Sequence, residues 1–263
     1  MSKRATTSLG HQIYPKKYFD KAPTWFAWNN LTAADVIALR REPGFEGQQI
    51  YFCLNHPIRF VRLVGVVVDV EVITGKHILM SLDDSSGACV EIKTSFRDTR
   101  PDDHATYPSN TVIDNLDVSV SLGLAAAFIN RQRIEIGAVI KAKGTLDSFR
   151  NTRQLKLERI WVVKNTGEEL KAWTETAKWK REVLSVPWIL TQAQKDEVDE
   201  QIRREALKDR ERLKKRKACD TKYAEKTKVK MEKYEVKRLK QEEKYNAGAL
   251  PGSAILPGRV TDS

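Results

Sequence analysis

HPIRFVRLVGVVVDVEVITGKHILMSLDDSSGACVEIKTSF, residues 56–96, is the stretch on which the fold turns. Residues 58–73 form a long apolar run rich in valine, a residue that suits a pleated, half-buried surface. Gly65 interrupts the run, and a glycine inside a strand pattern marks a sharp bend or bulge. Thr74-Gly75-Lys76 breaks it. Residues 77–83 then alternate, with Ile78, Met80 and Leu82 on one face. Asp83-Asp84-Ser85-Ser86-Gly87 is a dense turn signal, because Asp and Ser bond the local backbone and Gly accepts positive φ. Residues 88–96 alternate again, with Val90 and Ile92 inward and Glu91 and Lys93 outward. The order is long strand, loop, strand, tight turn, strand.

Two more strands follow at a distance. Residues 139–149 place Ile140, Ala142, Gly144 and Leu146 on one side and Lys141, Lys143 and Thr145 on the other. Arg150-Asn151-Thr152-Arg153 is a hairpin loop. Residues 154–163 form the fifth strand, and the switch of apolar parity between Leu157 and Ile160 predicts a bulge. Five such strands predict an all-β core, the closed OB-fold barrel, with flanking helices. Residues 114–134 read either as a short strand or as a helix. Because OB-folds commonly plug one barrel end with a helix between strands three and four, residues 122–130 are expected to be part of that helix.

Outward from the barrel, residues 1–12 are polar and expected to be disordered. Residues 14–28 are dense in aromatics and predict an irregular arm laid on the barrel. Thr32 is placed to cap a helix over 33–41, which Pro43-Gly44 stops. Residues 168–184 predict a helix with Leu170, Trp173, Ala177 and Leu184 at three- and four-residue spacing. Trp173 and Trp179 cannot share a face of it. Thr191 then caps a long charged segment without proline or glycine, and residues 248–263 read as a flexible tail. The expected divisions are 1–12, a domain over 13–184, a long charged helical arm over 185–247, and the tail.

The formal net charge of +11 and pI near 9.5 favour an acidic partner, nucleic acid first. Residues 191–247 hold 19 Lys and Arg against 13 Asp and Glu, so about half of the excess belongs to the body. Cys53, Cys89 and Cys219 are odd in number and widely spaced, which fits neither a disulfide framework nor a zinc motif. His11, His56, His77 and His104 are dispersed, so no metal is expected. The Asp83-Asp84 pair could hold a cation, but the Ser85-Ser86-Gly87 that follows makes it a hairpin turn. No phosphate-loop, nucleophile-elbow or zinc-protease motif is present, so the expectation is no enzyme, no catalytic residue and no cofactor. No apolar run approaches the roughly 20 residues of a membrane helix, and no secretory signal opens the chain.

On an OB barrel the ligand meets strands two and three and the loops joining strands one to two and four to five. The candidate DNA-binding residues are therefore Lys76 and His77, Lys93, Phe96 and Arg97, Lys141 and Lys143, and Phe149, Arg150 and Arg153. Each lysine read alone is as easily a solubilising side chain, and Phe149 as easily packing. The 168–184 stripe either packs on its own barrel or meets a partner's helix. The basic run Arg212–Lys217 reads equally as a nuclear localisation patch, a nucleic-acid contact or a solvated helix face.

Four phrases carry a resemblance: YPKKYF at 14–19, LTAADVIALR at 31–40, GFEGQQIYFCLNHPIRFVRLVGVVV at 44–68 and LDDSSGACVEI at 82–92. Together they resemble the N-terminal OB-fold domain of the STN subunit of the telomere-capping CST complex, fungal type, over residues 13–184. That family is similar to the middle subunit of replication protein A. The resemblance implies binding of single-stranded telomeric DNA, protection of chromosome ends and a nuclear, telomeric location. It implies a heterodimer with the small OB-fold TEN subunit, with Leu170, Trp173, Ala177 and Leu184 as partner contacts. It places Lys93, Lys141, Lys143 and Arg153 on the DNA side, and it implies contact with the DNA polymerase alpha-primase machinery. Some members carry C-terminal winged-helix domains; the charged arm shows no such pattern. The rival reading is an OB-fold structural adaptor that dimerises with a small partner and does not touch DNA.

Overall fold

The structure, a computed structural model, describes residues 10–73, 75–98, 107–122, 124–150 and 152–247. The polar N-terminus up to residue 9, most of the loop that holds His104, Asn151 and the tail from 248 lie outside these residues. The chain divides into two units, Met1–Asp196 and Glu197–Ser263.

In chain order the elements are β1 (Asn29–Asn30), α1 (Ala33–Ala38), β2 (Tyr51–Cys53), β3 (His56–Ile58), β4 (Phe60–Ile73), β5 (His77–Asp83) and β6 (Cys89–Ser95). Then come β7 (Leu116–Ser121), β8 (Leu124–Ile129), β9 (Gln132–Ile134), β10 (Val139–Phe149) and β11 (Thr152–Val162). Last are α2 (Thr166–Trp179), continued by a wider π turn over Lys180–Leu184, and α3 (Gln192–Ala247).

The main sheet runs β4-β10-β11-β6-β5, and β5 also pairs with β4, so the sheet closes on itself. Four of the five junctions are antiparallel, and β11–β6 is parallel. This is a closed five-stranded barrel with OB topology. Strand alternation puts Ile78, Met80, Leu82, Val90, Ile92, Ile140, Ala142, Leu146 and Leu155 inside, all essentially buried. Closure needs tight bends. A Cβ on Gly65 would stand 2.5 Å from the Asp83 carbonyl oxygen, and one on Gly144 would strike the Lys156 carbonyl. Beside Gly144 the register shifts: Lys143 faces Arg159 and Gly144 faces Leu157, leaving Glu158 as the bulged residue. The parity switch in the sequence has this cause.

The N-terminal arm packs as expected. Phe19 is fully buried, with ring centroids 5.2 Å from Trp25, 5.5 Å from Phe45 and 6.0 Å from Phe52. Buried Asn29 donates through Nδ2 to the Thr24, Ala27 and Phe60 carbonyls and fastens the arm to β4.

The segment between β6 and β10 corrects the expectation of a helix at 122–130. It is a three-stranded antiparallel meander, β7-β8-β9. Leu122, Asn130 and Arg131 take positive φ at its turns. Leu116, Val118, Ala127, Ile129 and Ile134 join the barrel core from it. The alanines at 125–127 favour a helix locally, but burying that alternate face decides otherwise.

α3 begins at a reciprocal cap, with the Gln194 amide on the Thr191 hydroxyl at 3.4 Å and the Thr191 amide on the Gln194 side chain at 3.1 Å. Beyond residue 200 it is exposed throughout, and it carries pairs such as Glu200 with Arg203 and Arg204, one helical turn apart. No helix among the described residues is long and apolar enough to cross a membrane.

Candidate nucleic-acid interface

Phe149 ends β10, paired with Thr152 of β11, and is 55% exposed. Two cations lie against that ring: Lys93 Nζ is 6.0 Å and the Arg150 guanidinium 5.2 Å from its centroid. Lys93 also lines a cleft of about 230 Å³, with His77, Ser95, Val112, Asp147 and Lys156. His77 Nδ1 and the Ser95 hydroxyl are 3.0 Å apart across β5 and β6. Lys76, next in sequence to the cleft-lining His77, is exposed in the β4–β5 connection. Asp147 lies in the cleft with its carboxylate accepting from Gln49 Nε2 at 3.1 Å and from the Ser148 amide. Glu91 is held by Gln154 Nε2 at 2.5 Å. The cleft is thus open, cationic and has one exposed ring on which a base can stack.

Lys156 was not among the candidates. Its outward position was readable, since it alternates with inward Leu155 and Leu157, but its pairing with Lys93 across the parallel junction was not. That junction is a long-range pairing invisible to a local pattern.

Several expected DNA contacts fall elsewhere. Arg153 turns back under the barrel end, where its guanidinium donates to the Ile37 and Leu39 carbonyls at the end of α1 and lies 5.4 Å from the Tyr51 ring. Burial lowers its pKa. It is a fastener of α1. Phe96 is half-buried and packs on the core, bridged to Thr111. Arg97 stacks 4.3 Å over Tyr107 and pairs with Asp114 at 3.0 Å. Lys141 and Lys143 sit near the start of β10, about 20 Å of strand from Phe149 at 3.3 Å per residue. Their neighbours are Arg62 and Val64 on β4 and Arg159 and Trp161 on β11.

The Asp83-Asp84 turn is structural. Asp84 accepts the Ala33 amide at 2.8 Å, and Ser86 Oγ accepts the Ala34 amide at 3.0 Å, so the turn caps α1 from outside. Among the described residues no three His, Cys, Asp or Glu gather as a metal-ligand set.

α2 lies on the outer face of β4. Ala172 is buried there, and Glu175 pairs with Arg62 at 2.6 Å, which holds its carboxyl below the usual range. The opposite side exposes Leu170 (59%) and Trp173 (49%), with exposed Ala177 one turn further on. Trp173 and Ala177 border a groove of about 400 Å³ whose floor includes Leu31 and Val64. Trp179 turns inward against the core, so the two tryptophans do part. Leu184 corrects the expected partner set: it is 4% exposed, inside the barrel core.

The strand order and the closure of the sheet define an OB-fold barrel. Within that class, residues 45–100 match the profile of the telomere regulation protein Stn1 family. The chain is 23% identical to the protein stn1 of Schizosaccharomyces pombe over 164 residues, 62% of this chain and 42% of that protein. The chain thus spans less than half the length of this curated relative. Similar solved structures include the S. pombe Stn1-ten1 complex, at 20% identity and TM-score 0.42, covering 60% of this chain and 95% of the matched one. The yeast Stn1 and Ten1 structure gives 18%, 0.49, 74% and 98% in the same order. A replication protein A heterotrimer bound to single-stranded DNA gives 14%, 0.41, 60% and 98%. The resemblance to the STN subunit therefore stands, on the profile over 45–100 and the S. pombe relative.

Proposed function

We propose that this chain is a telomere-capping subunit of a CST-like, replication protein A-like complex in the nucleus. Its barrel holds single-stranded telomeric DNA, and residues 13–184 form the working domain with 185–247 as an arm. One observation carries the reading: an exposed Phe149 with Lys93 and Arg150 against its ring, where the same Lys93 lines a cleft with Lys156, in a barrel that matches the Stn1 profile. Bases stack on the ring, and Lys76, Lys93, Arg150 and Lys156 neutralise phosphates. The bound strand is thereby withheld from degradation and elongation. The test is fluorescence anisotropy with a G-rich single strand at low salt, with and without the partner. Phe149→Ala is expected to weaken binding about tenfold without lowering Tm. Absence of binding in both conditions overturns the proposal.

The exposed Leu170–Trp173–Ala177 stripe supports docking of a small OB-fold TEN-type subunit, and the assembled pair would be the form that meets the DNA polymerase alpha-primase machinery. Trp173→Glu is expected to abolish co-purification of that subunit while leaving the isolated chain's Tm unchanged. Retained co-purification removes the stripe from the interface. The same stripe, set against a single exposed ring in the cleft, favours a second reading, an adaptor with no DNA contact. In that case Lys93→Glu/Arg150→Glu leaves the DNA affinity of the assembled complex unaltered.

A further inference from the structure

The outer face of β4, β10 and β11 carries a ladder of rings and cations that the cleft does not use. Arg59 lies 4.9 Å from the Phe60 ring, and Phe60 packs edge-on against Trp28 at 5.2 Å. Lys143 bridges Trp28 (5.2 Å) and Trp161 (5.7 Å), and Lys141 lies 5.1 Å from Trp161 on the far side. Strand pairing forces the arrangement, since Lys143 has Arg62 on one flank and Arg159 on the other. Glu175, on which Lys141 also acts, is engaged by Arg62.

We propose that this ladder is a second track for single-stranded nucleic acid, with phosphates on Arg59, Lys141 and Lys143 and bases against Trp28 and Trp161. Four cations on adjoining strands repel one another, and Lys143 has a lowered pKa from burial first, then from Arg62, Lys141 and Arg159. A polyanion relieves that repulsion. Partly exposed indoles beside cations fit unpaired bases, whose faces are free; a duplex hides its base faces and offers the rings nothing. The track starts about 20 Å of strand from Phe149, so one long strand can engage both faces while a short one fits a single face.

The experiment measures binding of the full chain to strands of about 6 and about 24 nucleotides, the first within the usual OB-fold site size and the second beyond it. Lys141→Glu/Lys143→Glu is expected to weaken the long strand at least about tenfold and to flatten its log K against log salt slope by about 1.4, two single-strand contacts. Affinity for the short strand stays unchanged. Trp161→Ala weakens the long strand about tenfold. Lys141→Arg/Lys143→Arg retains binding, and circular dichroism checks that each variant folds. An unchanged long-strand affinity overturns the proposal. If the charge reversal instead removes a co-purifying protein, the ladder is a protein interface. Loss of short-strand binding in the reversal also overturns it, because the ladder is then not separate from the cleft. Phe149→Ala reports on the cleft independently: a silent Phe149 with a sensitive ladder leaves this inference standing and sinks the cleft reading.

Discussion

His56 is 2% exposed, and its Nε2 donates to the Val186 carbonyl at 2.7 Å. Its neighbour Asn55 is bonded to both the Trp188 amide and carbonyl, so the pair straps residues 186–188 to the barrel. The buried Nδ1 has no partner, so a proton there would be stranded. Burial accordingly pushes the imidazole pKa down from 6.5, against a smaller opposing effect of the Val186 bond. The unfolded chain takes up this proton first, so stability is complete above pH 6.5 and is lost as pH falls through that value and below. Urea midpoints across pH 5 to 8 check this: the acid-side loss is expected to shrink in His56→Gln. A histidine before proline was legible as an extended residue, but its burial was not, because Val186 lies 130 positions away. Arg153 teaches the same lesson. Hairpin position alone placed it beside Arg150, yet the two side chains leave the turn in different directions, one to the Phe149 ring and one to the α1 carbonyls.

Helix α1 is only six residues long and would not hold alone in water. Thr32 and Asp35 form a capping box at its start, which the sequence announces. Asp84 and Ser86 add two further acceptors from the β5–β6 turn, and Arg153 closes the other end. Thr32→Ala is expected to cost about 1 kcal/mol. Asp84→Ala should cost a similar amount, because it also strands a helix N-terminal amide. Thermal unfolding measures both; a silent Asp84→Ala would deny the turn its structural role. The meander shows the opposite failure of local reading. Residues 124–129 have helical composition, and only pairing of Leu116 with Ile129 and Val118 with Ala127 makes them a strand. On α2 the spacing of Leu170, Trp173 and Ala177 was legible, but whether that stripe faced in or out was not. The Arg62–Glu175 pair, joining residues 113 apart, settles it by fixing the opposite side to β4.

Across the whole molecule, charge and closure govern behaviour. The body and the arm share the +11 excess about equally, so net charge alone does not locate a binding face. In the proposed reading the cleft does, through Lys76, Lys93, Arg150 and Lys156. For a short single strand these four contacts predict a log K against log salt slope of about −3. Titration of affinity between low and physiological salt measures it, and a slope near zero removes phosphate contact from the cleft. What the chain announced locally was the period of two in β5, β6, β10 and β11, the bulge, the helix caps and the long charged helix. Each of these depends on neighbours a few residues apart. What folding alone decided was which outward side chains stand together: Lys156 with Lys93, Lys143 with Trp28, Leu184 with the core. Alternation says whether a residue points in or out, but its angle around a closed barrel depends on stagger between strands far apart in sequence. That stagger exists only once β5 has met β4 and β6 has met β11.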